Sequence, residues 1–185
     1  MKFLGVDQSL REPGAAIVDE RGQILAATHL KIRGEVRGGQ RLAEILGFIR
    51  EVCAPHDIVA AAMEGPSLNS THREFDLGEV SGLVRAEIYA EHRVEPWVVA
   101  PTQLKLFATG RGAADKDEVM NAVNKLWGLD VGNDNVADAI VLAQIARYAY
   151  TQARPMTRAQ ADVIVSLTKP KAAKRRAPRK KVTNI

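Results

Sequence analysis

One cysteine, few aromatic residues (5%) and no long apolar run mark this 185-residue sequence. The longest such runs, Ile58 to Met63 among them, fall far short of the roughly 20 residues a membrane-spanning helix needs. Cys53 has no partner for an internal disulfide and no second cysteine for a zinc knuckle, which excludes a stapled secreted fold and a Cys-based metal site. Its helical surroundings read as core. The chain enters Phe3-Leu4-Gly5-Val6-Asp7 without a charged and then apolar leader, so a cytoplasmic protein with no membrane attachment is expected. What is present is a 46% hydrophobic content, enough for a sizeable core, on a length of about one domain. A wholly disordered chain is excluded.

The net charge of +4 is unevenly distributed. Eight of the 26 basic residues lie between Lys169 and Ile185, where there is no acidic residue, leaving 18 basic against 22 acidic in residues 1–168. A run of like charge with two prolines and little apolar content does not repay its ordering entropy, so a single folded domain over 1–168 and a basic disordered tail over 169–185 are expected. A polyanion, nucleic acid first, is the partner such a tail suits; a solubility or targeting tail is the plainer alternative.

Strand signals open the chain at Lys2 to Val6, Gly14 to Asp19 and Gln23 to Lys31, with turn chemistry at Asp19-Glu20-Arg21-Gly22. Apolar residues at helical spacing follow from Leu42 to Val52. The unbroken run Ile58 to Met63 suits a central strand covered on both faces, and it stops at Glu64. A second helical pattern runs from Leu77 to Ile88, a short strand covers Pro96 to Val99, and helices are expected from about Thr102, Lys116 and Asn135. Asp115 with Glu118 three residues on is a capping-box pattern. Residues Pro155 to Thr168 fit neither period. The order implies an α/β domain with a mixed five-stranded sheet, three antiparallel strands first, flanked by helices.

Asp7 and Glu64 each follow an apolar run directly, so parallel neighbouring strands would bring both carboxylates to one sheet edge. Asp134 and Asp138 are four apart, and Asn135 and Asp138 three apart, so all three can share one helical face. Two unit charges about 4 Å apart repel by about 4 kcal/mol at an effective dielectric of 20, a penalty a divalent cation removes. Oxygen-only ligands favour Mg²⁺ or Mn²⁺, and two such ions suit phosphodiester hydrolysis. The plain alternatives are a helix N-cap for Asp134 and a solvated loop position for Glu64.

Five linked segments together resemble the RuvC family of Holliday junction resolvases: Gly5-Val6-Asp7-Gln8-Ser9-Leu10-Arg11 with Gly14, Met63-Glu64-Gly65, Leu77 to Gly82, Ala100 to Lys105, and Asp134 to Asp138. The stretch Phe107 to Lys116 is most similar to versions carried by bacteriophages. The resemblance covers about residues 2–150. It implies an RNase H-like fold, a Mg²⁺-dependent endonuclease and a homodimer that makes paired nicks in four-way and related branched DNA.

By position, the resemblance assigns Asp7, Glu64 and Asp138 to three metal ligands. Asn135 stands where many cellular members carry Asp or His, and Asp134 beside it is the preferred fourth ligand. Lys105 and Lys116 match basic residues beside the scissile phosphate. A lysine in the first turn of a helix reinforces that terminus's affinity for phosphate, although a solvated lysine near Asp117 is the bland reading of Lys116. Arg111, Ser67, Asn69 and Arg73 are the further candidate DNA contacts, and His72 lies in the same loop. That loop, Gly65 to His72, lacks the aromatic that cellular members place shortly after the glutamate; Phe75, further along, is open to that role or to a core role.

Two other readings are available. The opening Gly5 to Ser9 also resembles the first phosphate-binding segment of sugar kinases, but no second half follows and the chain is about half the needed length. The other is a catalytically weak or inactive module that binds branched DNA, for which Asn135 is the sequence support.

Overall fold

A computed structural model of the chain describes residues 1–65 and 74–169. The expectations for Ser67, Asn69, His72, Arg73 and the tail beyond Lys169 lie outside the described residues.

The elements are strands β1 (Lys2–Asp7), β2 (Gly14–Asp19) and β3 (Ile24–His29), helix α1 (Gly38–Cys53), strand β4 (Ile58–Glu64), helix α2 (Glu74–His92), strand β5 (Trp97–Val99), and helices α3 (Pro101–Thr109), α4 (Lys116–Trp127), α5 (Asp134–Thr151) and α6 (Arg158–Thr168). They build one five-stranded sheet in the order β3-β2-β1-β4-β5. The first three strands are antiparallel, while β4 and β5 join β1 in parallel. The β2–β3 turn is closed by Asp19, whose Oδ1 accepts from the Arg21 and Gln23 amides at 2.9 Å each. β3 is shorter than its sequence signal, because a register shift at Ile17/Val18 disturbs its ladder and the chain beyond His29 leaves the strand.

Alternation along the strands assigns the two faces of the sheet. On one, Phe3, Ala60 and Ala62 pack with Ile140, Ala143 and other residues of α5, and with α3, α4 and α6. On the other, Leu4, Val6, Ile17, Ala61 and Met63 meet Ile45 and Ile49 of α1 and Val84 and Ile88 of α2. Cys53 is buried in this second core, as its helical setting implies. Trp97 and Trp127 are partly buried against the first.

Two glycines set how closely α5 lies on the sheet. A Cβ on Gly5 would stand 2.0 Å from the Ala139 carbonyl oxygen, and one on Gly14 2.2 Å from that of Asn135. Side chains at either position would push the helix away. The N-terminal half of α5 is thereby pressed onto the ends of β1 and β2.

The stretch Pro155 to Thr168 resolves into α6, started by a capping box. The Thr157 hydroxyl accepts from the Gln160 amide at 3.2 Å and the Gln160 side chain accepts from the Thr157 amide at 3.3 Å. Phe75 has no core role: it is 96% exposed at the start of α2.

Candidate active site

The parallel ladder between β1 and β4 pairs Val6 with Met63. The next residues are Asp7 and Glu64, the last of their strands, roughly one strand spacing of about 4.8 Å apart. Both follow residues of the opposite core by one step, so both side chains face α5. Their carboxyls are within hydrogen-bonding reach of each other. Asp7 is only 4% exposed, whereas Glu64 is partly buried.

Helix α5 completes the cluster. Its N-cap is Asn133, whose Oδ1 accepts from the Val136 amide at 3.1 Å. The cap role considered for Asp134 therefore falls to its neighbour, and Asp134 is the first helical residue. One turn later, Asp138 lies between two fully buried alanines, Ala137 and Ala139, on the face pressed against Gly5. Asn135 is partly buried and contributes its carbonyl to the close approach at Gly14.

The electrostatics follow from this crowding. Burial first, then the negative charges of Glu64, Asp138 and Asp134, hold Asp7 well above the ordinary carboxylate range. Asp138 is pushed up to about 7, again chiefly by burial and then by Glu64 and Asp134. Burial also raises Glu64, against the opposing influence of its hydrogen bond with Asp7 and of Lys105 and Lys116. Among the described residues, no three acidic, histidine or cysteine side chains are gathered into a closed ligand set. Asp134 is engaged elsewhere, by an ion pair with the Lys116 ammonium.

Lys116 is the first residue of α4, whose cap is the capping box at Asp115: its Oδ1 accepts from the Glu118 amide, and Glu118 Oε2 accepts from the Asp115 amide, each at 2.9 Å. The bond to Asp134 raises the Lys116 pKa further, with smaller contributions from Asp138 and Asp7. Lys105, partly buried on α3, draws the pKa values of both Glu64 and Asp138 down. The fold thus brings Asp7, Glu64, Asp134, Asp138, Lys105 and Lys116 together. Arg111 is exposed and paired with Glu118, and it is not among the groups that act on the carboxylates. His29, His56 and His92 are likewise outside the cluster.

One polar neighbour of the cluster carries no local sequence signal. The Gln8 side-chain amide donates to the main-chain carbonyl of Glu64, across 56 residues of sequence. Such a bond is set by strand pairing alone.

The oxygen-rich donor set fits a hard divalent cation. Three carboxylates whose charged forms are disfavoured by burial and mutual repulsion leave an excess of negative potential that such an ion neutralises.

The sequence matches the family described as crossover junction endodeoxyribonuclease RuvC over residues 3–146. Relatives of that name include the protein of Chromohalobacter salexigens, 30% identical over 152 residues that cover 80% of this chain and 81% of the relative. The RuvC of Anaeromyxobacter sp. strain Fw109-5 is 31% identical over 167 residues, covering 85% and 79%. Among solved structures, Thermus thermophilus RuvC superposes with a TM-score of 0.70 at 24% identity, covering 82% of this chain and 97% of that one. The same protein in complex with a Holliday junction substrate gives 0.70 at 23% identity, covering 82% and 94%. These likenesses establish the RNase H-like fold. A match that begins in β1, crosses every strand of the sheet and ends within α5 makes this chain a member of the RuvC family of crossover junction endodeoxyribonucleases.

Proposed function

We propose that this protein is a Mg²⁺-dependent, structure-selective endonuclease that resolves four-way DNA junctions by paired nicks. The observation that carries the reading is the meeting of Asp7, Glu64 and Asp138 at one sheet edge, with two lysines beside them. Asp7, Glu64 and Asp138, with Asp134 as fourth ligand, would hold two Mg²⁺ ions, or two Mn²⁺ ions in their place. When bound, the cation supplies Lewis-acid charge that activates a water and stabilises the leaving oxygen.

The chain's own groups do the rest. Asp138, set between the fully buried Ala137 and Ala139, is itself desolvated, so charges near it act strongly. Lys105 and Lys116 offset the negative charge that develops on the phosphate. Lys116 is 75% exposed, and its partner Asp134 is the fourth-ligand candidate, so engagement of Asp134 by a cation frees the ammonium for phosphate. Arg111, from the loop ahead of α4, and Ser67, Asn69 and Arg73, from the segment after β4, are proposed DNA contacts on the strength of the family resemblance. Phe75, exposed where that segment returns to α2, is suited to stack on an unpaired base.

A homodimer supplies the second cut, its two-fold axis matching that of the junction. The exposed face of α2 supports this: Gly78, Gly82, Ala86 and Ala90 recur every four residues, with exposed Tyr89 at one end. The tail beyond residue 169 adds sequence-independent, salt-sensitive affinity for DNA backbone. The setting proposed is the cytoplasm; no helix among the described residues is long and apolar enough to cross a membrane.

The test incubates the purified protein with a synthetic four-way junction and a matched linear duplex, with Mg²⁺ or chelator, beside an Asp138→Asn variant. Paired nicks in the junction alone, lost with chelator and in the variant, are expected. Tight binding without cleavage under Mg²⁺ or Mn²⁺ would favour the second reading, a branched-DNA-binding module. Its specific support is the neutral Asn135 and the capture of Asp134 by Lys116.

A further inference from the structure

The regular ladder between β1 and β4 ends at Val6 and Met63, one residue short of the two carboxylates. On its other side, β4 is still held: Glu64 pairs with Val99, and the Gly65 amide donates to the Val99 carbonyl at 2.7 Å. Between Asp7 and Glu64 themselves, the link that continues the sheet is the Gln8 side chain, whose Nε2 donates to the Glu64 carbonyl. The bond joins the residue next to one carboxylate with the backbone of the other.

The other end of the same amide is unusual. Gln8 Oε1 is buried and has no hydrogen-bond partner among the described residues. A buried acceptor without a donor costs about 1–3 kcal/mol, comparable to or larger than the net gain of about 1 kcal/mol from an ordinary hydrogen bond. The Gln8 amide therefore contributes little net stability to the fold. An apolar side chain of the same length would remove the orphaned acceptor and leave the Glu64 carbonyl without this donor, two changes that offset each other in large part.

We propose that Gln8 is a positioning residue for the carboxylate pair: its amide ties the β4 end to the β1 end and holds Glu64 beside Asp7. Without the tie, nothing in the β1–β4 ladder fixes the spacing of the two strand ends, because the ladder has already stopped. The inference rests on the metal-dependent reading above, and it concerns the geometry of the ligands.

The test is Gln8→Met, an unbranched replacement of equal length, with Gln8→Ala as a second variant. Mg²⁺ binding to the DNA-free, full-length protein is measured by titration calorimetry, with thermal melting in chelator and with kcat and KM on a four-way junction. Loss of a group that orients a ligand typically costs about 10–100-fold in metal affinity or activity. Expected for Gln8→Met is Mg²⁺ binding weakened about tenfold and a lower kcat, with KM for the junction and the melting temperature in chelator near the wild type. Wild-type Mg²⁺ affinity and kcat in both variants would overturn the proposal. So would a fall in melting temperature with Mg²⁺ affinity intact, which is the signature of a merely structural bond. If the wild type itself takes up no Mg²⁺, the metal reading fails and this inference fails with it, a result distinct from a loss confined to the variants.

Discussion

Replacing Asp138 by Asn should stabilise the metal-free protein, and by an amount that depends on pH. Asp138 is pushed from 3.8 up to about 7. Its folded-state pKa is raised, so between those values the folded state binds the proton more tightly than the unfolded chain. Stability is therefore retained below pH 4 and lost as pH rises toward 7. Each pH unit across that window costs about 1.4 kcal/mol, and the full window about 4 kcal/mol, before relaxation and salt reduce it. Asn mimics the neutral acid and escapes the loss; it also relieves Glu64 and Asp7 of a neighbouring charge. The assay is denaturant or thermal unfolding of both proteins in chelator at pH 5, 6.5 and 8. The variant's advantage should grow across the series, and at about 2–4 °C per kcal/mol the pH 8 difference is easily read. An advantage independent of pH, or a variant less stable than the wild type at pH 8, would refute the account of a crowded, desolvated carboxylate cluster.

Other outcomes follow from the same geometry. Lys116→Ala should lower kcat on a junction by about 10²-fold or more, as loss of a transition-state charge partner does, while stability changes by less than about 1 kcal/mol because the Lys116–Asp134 pair is open to solvent on the lysine side; kinetics and melting together check this. Gly5→Ala places a methyl 2.0 Å from the Ala139 carbonyl and should destabilise by about 3 kcal/mol or more, seen in chemical unfolding. Phe75→Ala should leave unfolding unchanged, since the ring is 96% exposed, yet weaken junction binding by the roughly 1–3 kcal/mol of a stacked base, measured by gel-shift titration. Removal of residues 170–185 takes away seven basic residues and should flatten the dependence of DNA affinity on salt, read from titrations at several ionic strengths.

Much of this site is legible in the sequence because its main residues sit where local patterns break. Asp7 and Glu64 show themselves as acids that end apolar runs, and the unbroken run before Glu64 correctly signals a strand covered on both faces; its parallel pairing with β1 meets the condition for both acids to reach one edge. Asp115 and Glu118 announce the start of α4 by spacing alone, as the observed pair of bonds bears out. The T-x-x-Q pattern at Thr157 and Gln160 carries the same kind of signal for α6, and it outweighs the β-branched Val163-Ile164-Val165 that obscures the period. What escapes is long-range. The Gln8 tie spans 56 residues and the Lys116–Asp134 pair 18, and neither has a periodic or capping signature. Asn133 takes the cap from Asp134 because one residue of register decides which side chain reaches back to Val136, a choice the adjacent Asn-Asp-Asn leaves open. Phe75 is apolar at the start of a helical stretch, and its exposure is set by how α2 packs, which the local sequence does not encode.

The proposed activity is two coordinated, metal-dependent cuts at a junction, one from each copy of a dimer. A supercoiled plasmid that extrudes a cruciform separates this from simpler activities, since paired nicks across the cruciform give linear DNA and single nicks give open circles. With Mg²⁺, linear DNA is expected as the first product from the cruciform plasmid, none from a plasmid lacking the inverted repeat, and none with chelator or with Asp138→Asn. Open circles alone, or cleavage that persists in the Asp138→Asn variant, would contradict it.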